Sequence, residues 1–325
     1  MNTYRNYNPI LWMQNVWRNR LQSLFLLTLM AGYLGLLGWL LWGPQGLMIL
    51  LGVGVTGMLF HPTLSPRLIM RMYGARPILP EEAPILFQLI GELAVRADLE
   101  TRPALYYIPS QMLNAFTVGI PHQSAIAITD GLMRHLETRE IVGVLAHEIS
   151  HIRNNDLWVM GLADLFSRAT SLLSTLGQLL LLFSLPLMLF SQIRINWLAL
   201  LLLIFAPTLS TLTQMALSRT REMVADLHAV QLTGDPEGLA RALAKIEGIQ
   251  GGWLERVFMP GRRLPEPSLL RSHPQTEARI QQLLDLKPQS PEWIAAQGTH
   301  HSNLGPGLQT PVQRQPHWHI NGLWY

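Results

Sequence analysis

The chain has 325 residues, a formal net charge of +3, 49% hydrophobic residues and only 14% charged ones. Soluble chains carry about 25% charged residues, and here the deficit is concentrated in a few long runs, which excludes an ordinary soluble protein. The absence of cysteine excludes disulfides, thiolate metal sites and a cysteine nucleophile, and no basic run forms a nucleic-acid patch.

Residues 21–66 contain no Asp, Glu, Lys or Arg. Within them, 21–42 is long enough to cross about 30 Å of hydrocarbon. Gly43-Pro44 breaks the run and 47–60 follows, so the pair reads as an anchor hairpin. A cleaved signal peptide fits less well, because no small-residue cleavage site follows the run. Two more charge-free runs, 169–193 and 195–218, are separated by Arg194 alone. Pro186 and Pro207 fall inside them, which a bilayer tolerates when neighbours satisfy the freed carbonyls. Four membrane spans are therefore expected. Arg5, Arg18 and Arg20 precede the first span and Arg67, Arg71 and Arg76 follow the second, with no acid before Glu81. Positive-inside bias places both flanks in the cytoplasm.

The polar stretches, 67–168 and 218–286, then lie on one side of the bilayer. Apolar spacing predicts a helix over 84–96. "ALYYIPS" and "SAIAITDG" predict short strands, with "NAFTVG" between them. Helices are expected over 139–154, 219–233 and 236–249. From Lys287 the composition shifts to Pro, Gln, Gly, His and Trp without periodicity, the pattern of a disordered tail.

The helix at 139–154 carries "HEISH", His147 to His151. Histidines at i and i+4 share one helix face and suit two ligands of a tetrahedral zinc. Glu148 is placed to reach a water rather than to ligate. Bound zinc would lower that water's pKa toward neutrality, and Glu148 would take its proton as the water attacks a carbonyl. Chance occurrence of a short motif is the competing account. Against it, "IVGVLAHEISHI" sets polar groups into an otherwise apolar helix, which is costly unless they are satisfied.

A third ligand is required. The metzincin spacing fails, since it would need Gly and His where Asn154 and Leu157 stand. Asp156 fits the helix end better than the metal. Asp235, in "TGDPEG", resembles an intramembrane protease motif, but Arg139, Glu140 and Arg153 fence "HEISH" out of a membrane helix. The best-placed candidate is Glu222 in "SRTREMVADLHA", with Asp226 one turn on to orient a histidine. The returning membrane hairpin brings Glu222 back to the side the chain left. An ion pair of Glu222 with Arg219 or Arg221 is the alternative.

"NAFTVG", "AIAITDGLM", "VLAHEISHI", "SRTREMVAD" and "SHPQTEARIQQL" follow in the order seen in the HtpX-type integral membrane zinc metalloproteases, relatives of the CAAX prenyl endoproteases. The chain resembles that family over about residues 20–285. Met223 stands where an aromatic is common, and "SHPQ" replaces the more usual "THPP"; neither removes a reactive group. The resemblance implies an α+β, mostly α protein: four transmembrane helices plus a cytoplasmic gluzincin-like domain with a small β-sheet. It implies one Zn2+ per chain on His147, His151 and Glu222, Glu148 as base, and Asp226 behind the ligands. Asn114, Ala115 and Phe116 would lie along a substrate cleft, where an extended peptide adds a strand. His273 would stand near the oxyanion, or alternatively starts a helix before Pro274.

The expected organisation is an N-terminal segment and hairpin (1–66), a first catalytic part (67–168), a second hairpin (169–218), a second catalytic part (219–286) and a tail (287–325). The expected activity is zinc-dependent hydrolysis of misfolded or damaged membrane proteins, in stress-related quality control at the inner membrane. The partners are protein substrates and the lipid bilayer, without nucleic acid. The rival readings are a non-proteolytic metal-binding membrane scaffold and a CAAX-type prenyl protein protease.

Overall fold

A computed structural model describes residues 9–59, 65–190, 197–249 and 276–286; the expected tail lies outside them. The helices are α1 (Pro9–Leu59), α2 (Pro66–Met72), α3 (Pro84–Arg96), α4 (Asp130–His135), α5 (Thr138–Arg153), α6 (Asp156–Phe190), α7 (Trp197–Thr233), α8 (Pro236–Ile249) and α9 (Thr276–Leu284). The strands are β1 (Arg76–Pro77), β2 (Ala104–Ile108), β3 (Ala115–Ile120) and β4 (Gln123–Thr129). The chain forms two compact units, of which one comprises Trp17–Pro62 and Trp158–Arg221.

In that unit, α1 doubles back at Gly43, whose φ of 65° and ψ of −152° suit glycine and strain other residues. Leu47 packs on Gly35 and Leu50 on Gly38, pairs that a straight helix would hold about 18 Å apart. Among the described residues, three helical stretches are long and apolar enough to cross a membrane: Trp17–Leu50, Asp156–Ser184 and Leu200–Thr233. The expected second span, 47–60, is the returning arm of α1. The expected helix at 219–233 is not separate, because α7 runs unbroken through Arg219. Phe25 (64%) and Phe183 (76%) are exposed, which an apolar surrounding accommodates.

Pro207 interrupts the hydrogen-bond ladder of α7. It has no N–H, so the Leu203 carbonyl four residues earlier loses its partner. The neighbouring helix supplies substitutes: the Ser174 hydroxyl donates to the Leu203 carbonyl, and Gln178 Nε2 donates to it at 3.2 Å. Combined Ser174→Ala and Gln178→Leu is expected to cost about 1–2 kcal/mol, read as a lower thermal midpoint in detergent. In a Pro207→Ala background the cost should shrink, since the restored N–H satisfies Leu203 within its own helix. An equal cost in both backgrounds would show that the carbonyl is not what these side chains serve.

The other unit holds a four-stranded sheet in the order β1-β2-β4-β3. β1 with β2 and β3 with β4 are antiparallel, whereas β2 and β4 are parallel. β3 is therefore an end strand. Its alternate residues serve two cores. Phe116 and Val118 pack with Met70 of α2, while Ala115 joins the main core with Leu86 and Ile90 of α3, Leu145 and Ile149 of α5 and Leu239 of α8. Gly143 sets the α5–α8 approach, because a Cβ there would meet the Leu239 backbone at 2.9 Å.

Candidate metal centre

Helix α5 is pinned at its start. The Glu137 N–H donates to Glu140 Oε2 at 2.8 Å, and Lys245 Nζ holds the same carboxylate. Arg139 clamps Asp235, which in turn accepts from the Gly238 N–H and so caps α8. Asp235 thus has a structural task away from the histidines. Beyond this start every residue from Glu140 to Ile152 is buried, so the polar side chains of "HEISH" need partners within the protein.

They find one another. One turn of helix brings His147 Nε2 to 3.1 Å from His151 Nε2, with the rings edge-on at 88°. Glu222, on α7, sends Oε2 to 3.4 Å from His147 Nε2 and Oε1 to 3.7 Å from His151 Nε2. Among the described residues these three form a group whose ligand atoms all lie within 4.8 Å of one another. Ligand bonds of about 2.0–2.1 Å in a tetrahedral zinc site imply edges of about 3.3 Å. The observed spacings bracket that value, and two imidazoles with a carboxylate match zinc chemistry, so the donor set fits the ion.

The opposite ring nitrogens are also held. Asp226 Oδ1 lies 3.0 Å from His147 Nδ1, and Asp156 Oδ2 lies 2.7 Å from His151 Nδ1. Burial lowers His147, but the Asp226 and Glu222 carboxylates outweigh it and lift it to about 9. Burial and the charge of His147 push His151 down to about 4. His151 is thereby neutral, with its proton on Nδ1 toward Asp156 and the Nε2 lone pair inward, the tautomer a metal requires. Arg279, on α9, forks both Asp226 oxygens at 2.7 Å and places Nη1 2.9 Å from Glu222 Oε2. It balances two buried carboxylates.

Glu148 is 4% exposed, and burial raises its pKa. Its Oε2 accepts from the Thr117 hydroxyl at 2.8 Å. Asn114 bonds β4 through its carbonyl, which accepts from the Thr129 N–H at 3.0 Å. The Phe116 ring stacks at a tilt on Tyr73, 4.9 Å away, in the second core. His273 lies outside the described residues.

Asp156 differs from expectation. Instead of closing the preceding helix it opens α6 and meets His151, because Asn155 turns the chain with a left-handed φ of 54°, a conformation Asn tolerates. Thr117 and Arg279 were not singled out in the sequence. A hydroxyl between Phe116 and Val118 and a lone cation one turn before Leu283 were their only signals.

The profile of peptidase family M48 matches residues 80–287. A protein of Nostoc punctiforme named Protease HtpX homolog is 33% identical over 294 residues, covering 84% of this chain and 98% of its own. One of that name from Aquifex aeolicus is 34% identical over 279 residues, covering 78% and 89%. The crystal structure of S. mikatae Ste24p is similar with a TM-score of 0.40 and 21% identity, over 83% of this chain and 66% of that one.

Proposed function

The chain belongs to peptidase family M48 and is a membrane metalloprotease; we propose that it uses zinc, held by His147, His151 and Glu222, to hydrolyse misfolded or damaged membrane proteins. The convergence of two imidazole Nε2 atoms and one carboxylate beside a buried Glu148 carries this reading. Zinc, when bound, supplies Lewis acidity that makes water nucleophilic near neutral pH. Asp226 and Asp156 lie behind the two rings; His151 presents its Nε2 lone pair inward, and His147 would give up its Nε2 proton to ligate. Glu148 takes the proton of the attacking water on its carboxylate and returns it to the departing nitrogen.

β3 supports strand addition. The bond from the Thr129 N–H to the Asn114 carbonyl sets the ladder's alternation, so the N–H and C=O of Ala115 and Thr117 point away from β4. An extended substrate pairs there through main-chain bonds, which suits an enzyme with many substrates. Two features favour membrane substrates and a cytoplasmic face. Glu222 follows the apolar run of α7 within a turn of Ser218, and the N-terminal apolar hairpin is bordered by arginines on both flanks.

The test uses the purified full-length chain in detergent and labelled casein as an unfolded probe. Phenanthroline should abolish cleavage and added zinc restore it. Cleavage by protein that contains no metal would refute the reading.

Arg279 allows a further check. Arg279→Met leaves Glu222 and Asp226 buried without their cation, which should cost about 3–5 kcal/mol in the metal-free protein. Zinc adds positive charge beside the same carboxylates, so it should raise the thermal midpoint of this variant more than that of wild type. An equal gain would show that Arg279 does not serve the ligand carboxylate.

A further inference from the structure

We propose that Thr117 is a positioning residue for Glu148: its hydroxyl holds Oε2, so that the proton taken from water is carried on Oε1. The inference rests on the metalloprotease reading above. Thr117 is 3% exposed, and both contacts of its hydroxyl are to Glu148, the carboxylate Oε2 at 2.8 Å and the backbone carbonyl at 3.4 Å. A threonine hydroxyl has one proton, and the shorter, charge-assisted bond takes it.

The surroundings make the hydroxyl conspicuous. Directly opposite on β4 stands Ile126, fully buried, and the same face of β3 carries Ala115. Valine has the same shape as threonine, suits a strand equally and would pack here with no polar group to desolvate. The hydroxyl's partner is the base itself.

The terminal carboxylate torsion of glutamate is broad and roughly two-fold, so without a donor both oxygens sample many orientations. With Oε2 engaged, Oε1 keeps its lone pairs available. As the bond from water oxygen to the substrate carbonyl carbon forms, an O–H bond of that water breaks and its proton passes to Oε1. When the C–N bond breaks, the same proton goes to the leaving nitrogen.

Wild type, Thr117→Val and Thr117→Ser are to be compared as full-length, zinc-loaded protein on labelled casein. Thr117→Val should lower kcat about tenfold or more with KM and zinc content nearly unchanged, while Thr117→Ser stays within about threefold. Independently of activity, Thr117→Val should lower the melting midpoint of the metal-free protein, but not in a Glu148→Ala background, where the bond is already gone. Unchanged kcat in Thr117→Val, an equal fall in Thr117→Ser, or the same midpoint loss in both backgrounds overturns the proposal. If Thr117→Val does not fold, Thr117→Ala is held to the same criteria. Glu148→Gln is measured alongside: activity surviving in it overturns the base assignment, whereas an inactive Glu148→Gln beside a fully active Thr117→Val overturns the role of Thr117 alone.

Discussion

Glu148→Gln is expected to reduce cleavage of an unfolded protein by about 10²–10⁴-fold while leaving bound zinc unchanged, the usual contribution of a positioned general base. The amide keeps the shape of the side chain and can still accept from the Thr117 hydroxyl, but it cannot take a proton from water. Zinc should be retained because the proposed ligand atoms belong to His147, His151 and Glu222. Metal analysis and steady-state kinetics on one preparation check both halves. Wild-type cleavage by the variant would remove Glu148 from the reaction, and loss of zinc would make it a ligand.

The second large effect concerns Glu222. Glu222→Ala should strip the protein of stoichiometric zinc, because the carboxylate is one of the three proposed ligand groups and the one among them that would carry a negative charge to the ion. Asp156→Ala should act more gently, costing about 10–100-fold in metal affinity, since it removes the group that orients His151 rather than a ligand. Elemental analysis after dialysis against a graded zinc buffer separates the two. Zinc kept by Glu222→Ala and lost by Asp156→Ala would reverse the assignment.

Much of the metal centre is legible in the sequence, because its first half is local. His147, Glu148 and His151 lie within two turns of one helix, so their spacing alone defines their geometry. Glu222 follows from a longer but simple argument, a helical hairpin that returns the chain to the side it left. Strands β2 and β4 were likewise visible as short apolar runs. The charge-free runs marked where apolar helix had to be and Gly43-Pro44 marked where α1 turns back, but not that α7 continues past Ser218 to carry Glu222.

Asp156, Thr117 and Arg279 show where sequence reading stops. Asp156 lies five residues beyond His151, the wrong way around a continuous helix, and reaches it only because Asn155 adopts a left-handed turn. Thr117 meets Glu148 through the packing of an end strand on α5, and Arg279 comes from another helix to Asp226. Composition determined that this chain lives in a membrane, and the spacing of "HEISH" that one helix presents two imidazoles and a carboxylate; that motif, with the family resemblance, made zinc hydrolysis the chemistry to expect. Only the tertiary structure decided which buried polar groups complete the site. Helical spacing is a short-range property that the sequence states directly, whereas a buried hydroxyl, carboxylate or guanidinium is satisfied by whichever partner packing brings within about 3 Å.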